Sequence, residues 1–483
     1  MSTINFYRGA VAVIAMLLAS ACSASRGPSL GAPGTAAGFL PGTRPATGHP
    51  ASGSISHIVV IIQENRSFEN FFAGYPGANA PMYGCAETPS GQARIPAARS
   101  NRFAAPRMAS SSACPHGDSQ VPLEKISFNG PDLRHDWDSS MVSWDNGNMD
   151  GFSYFGKKHG KYEAYSYVNE SLVAPYWQMA QQYVLADAMY PTEFGGSFTG
   201  HLTLVAGTDD LSPSKAEVDF PNGLHDDCDS PPGTKSSFLD PKRHVHRFDG
   251  PFPCFNQFNT MAQVLDAGGV PWKFYASKVL DAGMWSPFEA IKYVRYGPDW
   301  GTNMIAPQTQ VLSDAANSQL ASVSWVTPSR PDSDHPAYHS DKGPSWVASV
   351  VNAIGESPYW DSTAIVVVWD DWGGWYDSTP PPQLDYRGLG IRVPCLIISP
   401  YAKQGYVDDT QYEFGSVLRF IEETFNLPYI GSPSDGYTDE RAAPLDNAFD
   451  FTQKPRAFKP IGSKYPISDF LHEPPSYGPL DTQ

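Results

Sequence analysis

Apolar and polar positions along the chain fall into a few contrasting patterns. His57-Ile58-Val59-Val60-Ile61-Ile62 and Ala364-Ile365-Val366-Val367-Val368-Trp369 are almost unbroken apolar, β-branched runs. That is the pattern of strands buried on both faces. Val393 to Ser399 is a third such run, and Tyr183 to Met189, Trp272 to Ala276 and Leu320 to Val326 read as further strands. Phe258 to Ala267, Trp346 to Ile354 and Phe414 to Phe425 carry helical periodicity instead. Strands alternating with helices predict an α/β fold with three layers, α/β/α, around a mainly parallel central sheet. Residues 76–130 and 207–255 lack this rhythm and read as long surface insertions.

The ends of the strand runs share a second pattern. Glu64-Asn65-Arg66-Ser67 follows the first strand, and Gly195-Gly196-Ser197-Phe198-Thr199-Gly200-His201 lies beyond Met189. Asp332-Ser333-Asp334-His335 follows Val326, and Asp370-Asp371-Trp372-Gly373-Gly374 follows Trp369. Ligands of open α/β sheets bind outside the carboxyl ends of the strands. If the strands are parallel, four polar clusters converge on one edge.

The N-terminus has a different character. Arg8, the apolar run Ala10 to Leu18 and the small residues Ala19-Ser20-Ala21 predict a signal peptide over residues 1–21 and an exported protein. Cys22 then suggests acylation and a membrane-anchored lipoprotein, with periplasmic or secreted release as the alternative. Residues 22–54, rich in Ser, Gly, Pro and Ala, read as a flexible tether. A catalytic domain is expected over 55–430, and residues 431–483 as an extension that packs on it or is partly irregular.

Composition narrows the function classes. The 483 residues are 41% hydrophobic and 17% charged, which excludes a disordered chain. A formal charge of −17 argues against general nucleic-acid binding, which depends on Lys and Arg neutralising phosphates. Export permits disulfides. Cys85 and Cys114 flank one loop-rich insertion and Cys228 and Cys254 the other, so these two pairs are expected to bridge, with Cys395 a buried thiol.

Glu64, Asn65, Asp370 and Asp371 are hard oxygen donors. Adjacent carboxylates at a buried strand end repel, and a divalent cation or a shared proton relieves them. Asp370-Asp371 can also simply cap a turn. Ser197, in a glycine-rich turn, is a nucleophile candidate beside such a cation, or else a helix N-cap. The G-x-S-x-G elbow of acyl hydrolases fails at Thr199. His135 and His335 are candidates for a general acid or for charge stabilisation. His201 is positioned to face phosphate, and Arg66 either binds phosphate or pairs with an acid.

These residues carry a resemblance. His57 to Phe72, Asp132 to Trp137 with Met149-Asp150-Gly151-Phe152, Gly195 to His201, Ser333 to Pro336, Asp370 to Asp377 and Gly388 to Tyr401 occur in order. The set resembles the bacterial phosphoesterase family of phospholipases C and acid phosphatases, whose fold is alkaline-phosphatase-like. The resemblance implies metal ligation by Glu64, Asn65, Asp370 and Asp371, with Ser197 as metal-bound nucleophile. His135 and His335 would then contact the phosphoryl or leaving group.

Several positions depart from that pattern. The phospholipase branch usually has Thr followed by Pro-Asn-Arg, so Ser197-Phe198-Thr199 stands closer to the acid-phosphatase branch. Met284-Trp285-Ser286 precedes Pro287-Phe288 where many members have a His pair. Glu413-Phe414-Gly415-Ser416 replaces a frequent Asp-His-Thr-Ser. The expectation is a phosphoric ester hydrolase, acid-phosphatase-like, acting on a phosphoester with a divalent metal of open identity. A phospholipase C acting on phospholipid headgroups and a non-catalytic surface-binding protein are the alternatives.

Overall fold

A computed structural model describes residues 42–45, 48–87, 114, 118–128, 130–223, 225–338 and 340–474. The expected signal peptide, the acylated Cys22 and most of the tether lie outside the described residues.

The apolar runs form a nine-stranded sheet. Its strands are β1 (His57–Gln63), β2 (Val184–Tyr190), β3 (Trp272–Tyr275), β4 (Met304–Ile305), β5 (Val323–Val326), β6 (Thr363–Trp369), β7 (Val393–Ile398), β8 (Tyr406–Asp408) and β9 (Tyr412–Glu413). The order is β4-β3-β5-β1-β6-β7-β2-β8, with β9 also pairing with β2. Strands β3, β4, β5, β1 and β6 are parallel. Strand β7 is antiparallel to both β6 and β2, which leaves β2 running the same way as β6. The carboxyl ends of β1, β2, β5 and β6 therefore open on one edge.

The reversal of β7 has a local cause. Residues 370–392 contain no α-helix to carry the chain back across a face of the sheet, so the chain re-enters from the edge it has just left. Pro394, which cannot donate to a ladder, sits where the pairing with β2 shifts register between Val393 and Cys395.

Every residue of β6 is buried, so both faces of the sheet are covered. The longer helices are α1 (Trp137–Trp144), α2 (Ala174–Gln182), α3 (Ser197–Ala206), α4 (Met261–Gly268), α5 (Gln310–Ala316), α6 (Gly343–Gly355) and α7 (Phe414–Phe425), beside short ones at Phe68–Phe72 and Lys292–Arg295. α6 packs against α2 and α5, whereas α3 packs against α4 and α7. A second core, rich in aromatic residues, holds Trp137, Trp144, Phe152, Tyr165, Trp372, Trp375 and Tyr376. It ties α1 and the first insertion to the loop that follows β6.

Both expected disulfides are present, Cys85–Cys114 and Cys228–Cys254, and Cys395 is a buried free thiol. The second insertion is more ordered than its sequence suggests. Strands at 210–212, 215–218, 237–239 and 245–246 form a four-stranded antiparallel sheet. The end of the expected tether is held rather than loose. Gly42 N donates to Tyr429 O at 2.9 Å, and His49 Nε2 lies 2.6 Å from Asp446 Oδ1. The C-terminal extension runs along α6, with Asn352 bonding both backbone groups of Ile461 and the Phe470 ring tilted against Trp346.

Candidate active site

Register builds the site. In the β1–β6 pairing Gln63 faces Trp369, so Glu64 and Asp370 are the next residues out on adjacent parallel strands. Asp370 N continues the ladder by donating to Gln63 O at 3.0 Å. Asn65 then turns into the left-handed region (φ 60°), where its N–H donates to Asp370 Oδ1 at 2.9 Å. Gly373 (φ +61°) packs so closely that a Cβ there would lie 2.0 Å from Asn65 O. Only glycine meets both demands.

Helix α3 supplies the rest. It opens at Ser197 after Gly196, and the serine does not cap it. Ser197 Oγ instead donates to Asp371 Oδ2 at 3.0 Å. One turn later, on the same face, His201 Nε2 lies 3.0 Å from Glu64 Oε1 and 3.6 Å from Asp370 Oδ2. Glu64, His201 and Asp370 each offer a ligand atom within 4.8 Å of the others, and all three are buried.

The histidines can be given protonation states. His135 Nδ1 lies 2.6 Å from Leu133 O, a pure acceptor, so that nitrogen carries the proton. A neutral His135 then accepts at Nε2 from Asn65 Nδ2, 2.8 Å away. This turns the Asn65 amide so that its oxygen points elsewhere. His335 Nδ1 accepts from Ala337 N at 3.2 Å, which puts the proton of a neutral ring on Nε2. The two imidazoles are 6.5 Å apart between centroids.

The electrostatics call for a cation. Glu64, Asn65, Ser197, Asp370 and Asp371 are each at most 1% exposed. Burial and then the Asp370 charge push the Asp371 carboxyl up to about 8, against the His135 ring and the Gly373 and Ser197 hydrogen bonds. Asn65 Oδ1 and Asp370 Oδ2 accept no hydrogen bond among the described residues. Orphaned hard oxygens beside crowded carboxylates fit a divalent metal better than a purely structural turn.

Comparison with known proteins bears on the same residues. Residues 55–428, which hold every group named above, match the Phosphoesterase family. The chain belongs to that family. Membership makes it a phosphoric ester hydrolase by class. It is 25% identical over 414 residues to the non-hemolytic phospholipase C of Pseudomonas aeruginosa, covering 77% of this chain and 54% of that protein. It thus spans about half the length of that relative. Phospholipase C A of Mycobacterium tuberculosis is 24% identical over 479 residues, covering 87% of this chain and 81% of that one. A solved alkaline phosphatase superfamily protein from Vibrio parahaemolyticus aligns at a TM-score of 0.34 and 15% identity, over 57% of this chain and 66% of that chain.

Two residues of this phosphoesterase differ from their sequence reading. Arg66 does not reach into the cluster as a phosphate ligand would. Its Nε donates to Asp334 O at 2.9 Å, Nη1 to Asn70 Oδ1 at 3.0 Å and Nη2 to Phe128 O at 3.0 Å. The guanidinium also lies over the Phe71, Phe128 and Trp375 rings. It braces the short helix Phe68–Phe72, through Asn70, against the segments at Phe128 and Asp334. His201, read as facing phosphate, sits among the carboxylates as a candidate ligand. The i, i+4 spacing from Ser197 was the signal for it.

Asp334, which carried no assigned role, is a fully buried hub. It accepts from Tyr176 Oη at 2.8 Å and Trp369 Nε1 at 3.0 Å, and its N–H donates to Gln63 Oε1 at 2.9 Å. Those bonds fix the start of the loop that presents His335. Among the described residues no helix is long and apolar enough to cross a membrane.

Proposed function

We propose that this protein is an exported, metal-dependent phosphomonoesterase in which Ser197 is the nucleophile. The observation that carries the reading is the Ser197 hydroxyl, 3.0 Å from Asp371 Oδ2 at the opening of a helix. That hydroxyl stands beside three buried acids crowded around two histidines, with His135 Nε2 3.9 Å from Asp371 and His201 Nε2 3.0 Å from Glu64. Glu64, Asn65, Asp370 and Asp371, with His201 beside them, are the residues that would hold a divalent ion. When bound, such an ion neutralises charge on the phosphoryl oxygens and lowers the pKa of an adjacent hydroxyl.

The chain's own groups account for the remaining steps. Ser197 Oγ attacks phosphorus in line with the leaving group. The Oγ–P bond forms as the P–O bond to the alcohol breaks. Asp371 Oδ2 is the nearest acceptor for the serine proton. First-turn amides of α3 and the helix dipole favour the phosphoryl charge. His335, with its proton on Nε2, would donate a hydrogen bond to the leaving or a phosphoryl oxygen, and the departing alkoxide would take its proton from water. His135 acts by orienting the Asn65 amide. Water then cleaves the phosphoserine and restores the hydroxyl.

The phospholipase names of the relatives favour a second reading, a phosphodiesterase that releases phosphorylated headgroups from lipid. Turnover of p-nitrophenyl phosphate, bis(p-nitrophenyl) phosphate and phosphatidylcholine vesicles separates the two. The first reading expects the monoester to lead, with activity lost in EDTA and reduced at least ~10³-fold in Ser197→Ala. Preference for phosphatidylcholine would select the second. Unchanged activity of Ser197→Ala would overturn both mechanisms.

A further inference from the structure

A second set of carboxylates gathers away from the residues of the catalytic cluster. Glu87, Asp145 and Asp150 each bring an oxygen within 4.8 Å of the others. Asp118 joins them, placed within hydrogen-bonding reach of Asp150. Two separate pieces of structure supply these acids. Strands 83–86 and 119–122 pair antiparallel, with Ala86 facing Ser119. The next position outward sets Glu87 against Asp118, like charges on facing strands that repel. The Cys85–Cys114 bridge fixes that end of the hairpin. Asp145 and Asp150 bound the turn after α1.

The backbone holds the two pieces together. Glu87 N donates to Asp150 O at 3.1 Å, Ser153 Oγ to Glu87 O at 2.9 Å, and Tyr165 Oη lies 2.6 Å from Cys85 O and 3.1 Å from Asp150 O. Asp150 itself is only 2% exposed, and its Oδ1 accepts no hydrogen bond among the described residues; nor does Asp118 Oδ2. The nearest polar partners of Asp145 are the amides of Asn148 at 3.1 Å and Asn146 at 3.5 Å. No described Lys, Arg or His forms an ion pair with any of the four acids. A buried carboxylate facing three others is tolerated only if a proton or a cation lies between them.

We propose that Glu87, Asp118, Asp145 and Asp150 form a second cation site, of Ca²⁺ type, which staples the disulfide-closed hairpin to the turn after α1. The donors are all hard oxygens, without nitrogen or sulfur, and they come from loop and strand ends that can admit water as further ligands. That is the chemistry of calcium rather than of zinc or copper.

The test is Ca²⁺ titration by calorimetry of the purified, EDTA-treated chain carrying Asp370→Asn, which disables the catalytic cluster. The expected result is one Ca²⁺ bound, with affinity reduced at least tenfold when Asp145→Asn is added. Glu87→Gln, a change at a partly exposed position, serves as a second probe should the Asp145 variant fold poorly, and the same loss is expected. Ca²⁺ at about a hundred times its Kd should raise the unfolding midpoint of the Asp370→Asn chain by about 3 °C and leave the double variants unmoved. Absence of Ca²⁺ binding to the Asp370→Asn chain would overturn the proposal and assign a shared proton to Asp118 and Asp150. Unchanged affinity in the Asp145 and Glu87 variants would place the ion elsewhere and overturn it equally.

Discussion

Gly200 sits in the first turn of α3, directly over the end of β6. A Cβ built there would lie 2.5 Å from Asp370 O and 3.0 Å from Asp370 C. Both neighbours are backbone and cannot rotate away. Restoring ordinary contact requires about 1 Å of movement between helix and strand end. Ser197 is three residues back on that turn, and its 3.0 Å bond to Asp371 would not survive the shift. A misplacement of about 1 Å at a reacting group costs on the order of 10² in rate. The substitution also replaces glycine in a helix, which returns about 1 kcal/mol of helix propensity and offsets part of the clash. Gly200→Ala is therefore expected to lose roughly 100-fold in kcat for p-nitrophenyl phosphate while its urea midpoint stays near that of the parent. Circular dichroism would confirm the fold. A Gly200→Ala protein with full kcat would refute the reasoning, because it would show that the seat of α3 on Asp370 does not set the chemistry.

Other perturbations follow from the same contacts. Arg66→Lys removes a fork that serves three acceptors on separate segments, so urea denaturation should show a loss of about 2–4 kcal/mol, and added phosphate should not rescue it. Asp385 is partly buried, which raises its pKa, but Arg387 and then Arg441 outweigh this and hold the carboxyl down at about 2. A depressed carboxylate stabilises the fold above its unfolded value near 3.8, and the benefit fades as pH falls from about 4 towards 2. It amounts to about 2 kcal/mol, and stability curves for Asp385→Asn should be flatter across that window. Replacing both Cys228 and Cys254 by Ala opens a loop of sequence separation 26, and thermal denaturation should report a loss of about 3 kcal/mol.

Much of this site could be read from residue order. The runs ending at Ile62 and Trp369 are too apolar to be anything but central strands, and a parallel pair of that kind must deliver Glu64 and Asp370 side by side. The turn beginning at Gly195 likewise announced a close approach of backbone. What escaped reading depends on partners distant in sequence. Strand β7 has the same apolar composition as its parallel neighbours, and only the missing crossover helix reverses it. Arg66 carries a charge that suits phosphate, yet two of its three acceptors, Phe128 O and Asp334 O, lie 62 and 268 residues away. The Gly- and Pro-rich segment before β1 looks mobile because its anchors, Tyr429, Glu440 and Asp446, lie almost 400 residues away.

The most direct measurement is a rapid acid quench of the enzyme with a ³²P-labelled phosphomonoester, followed by peptide mass spectrometry. A serine attacking phosphorus leaves label on the peptide that contains Ser197, as phosphoserine, and none on the Ser197→Ala protein. Label on Thr199 or on a histidine, or normal turnover by Ser197→Ala, would contradict the account.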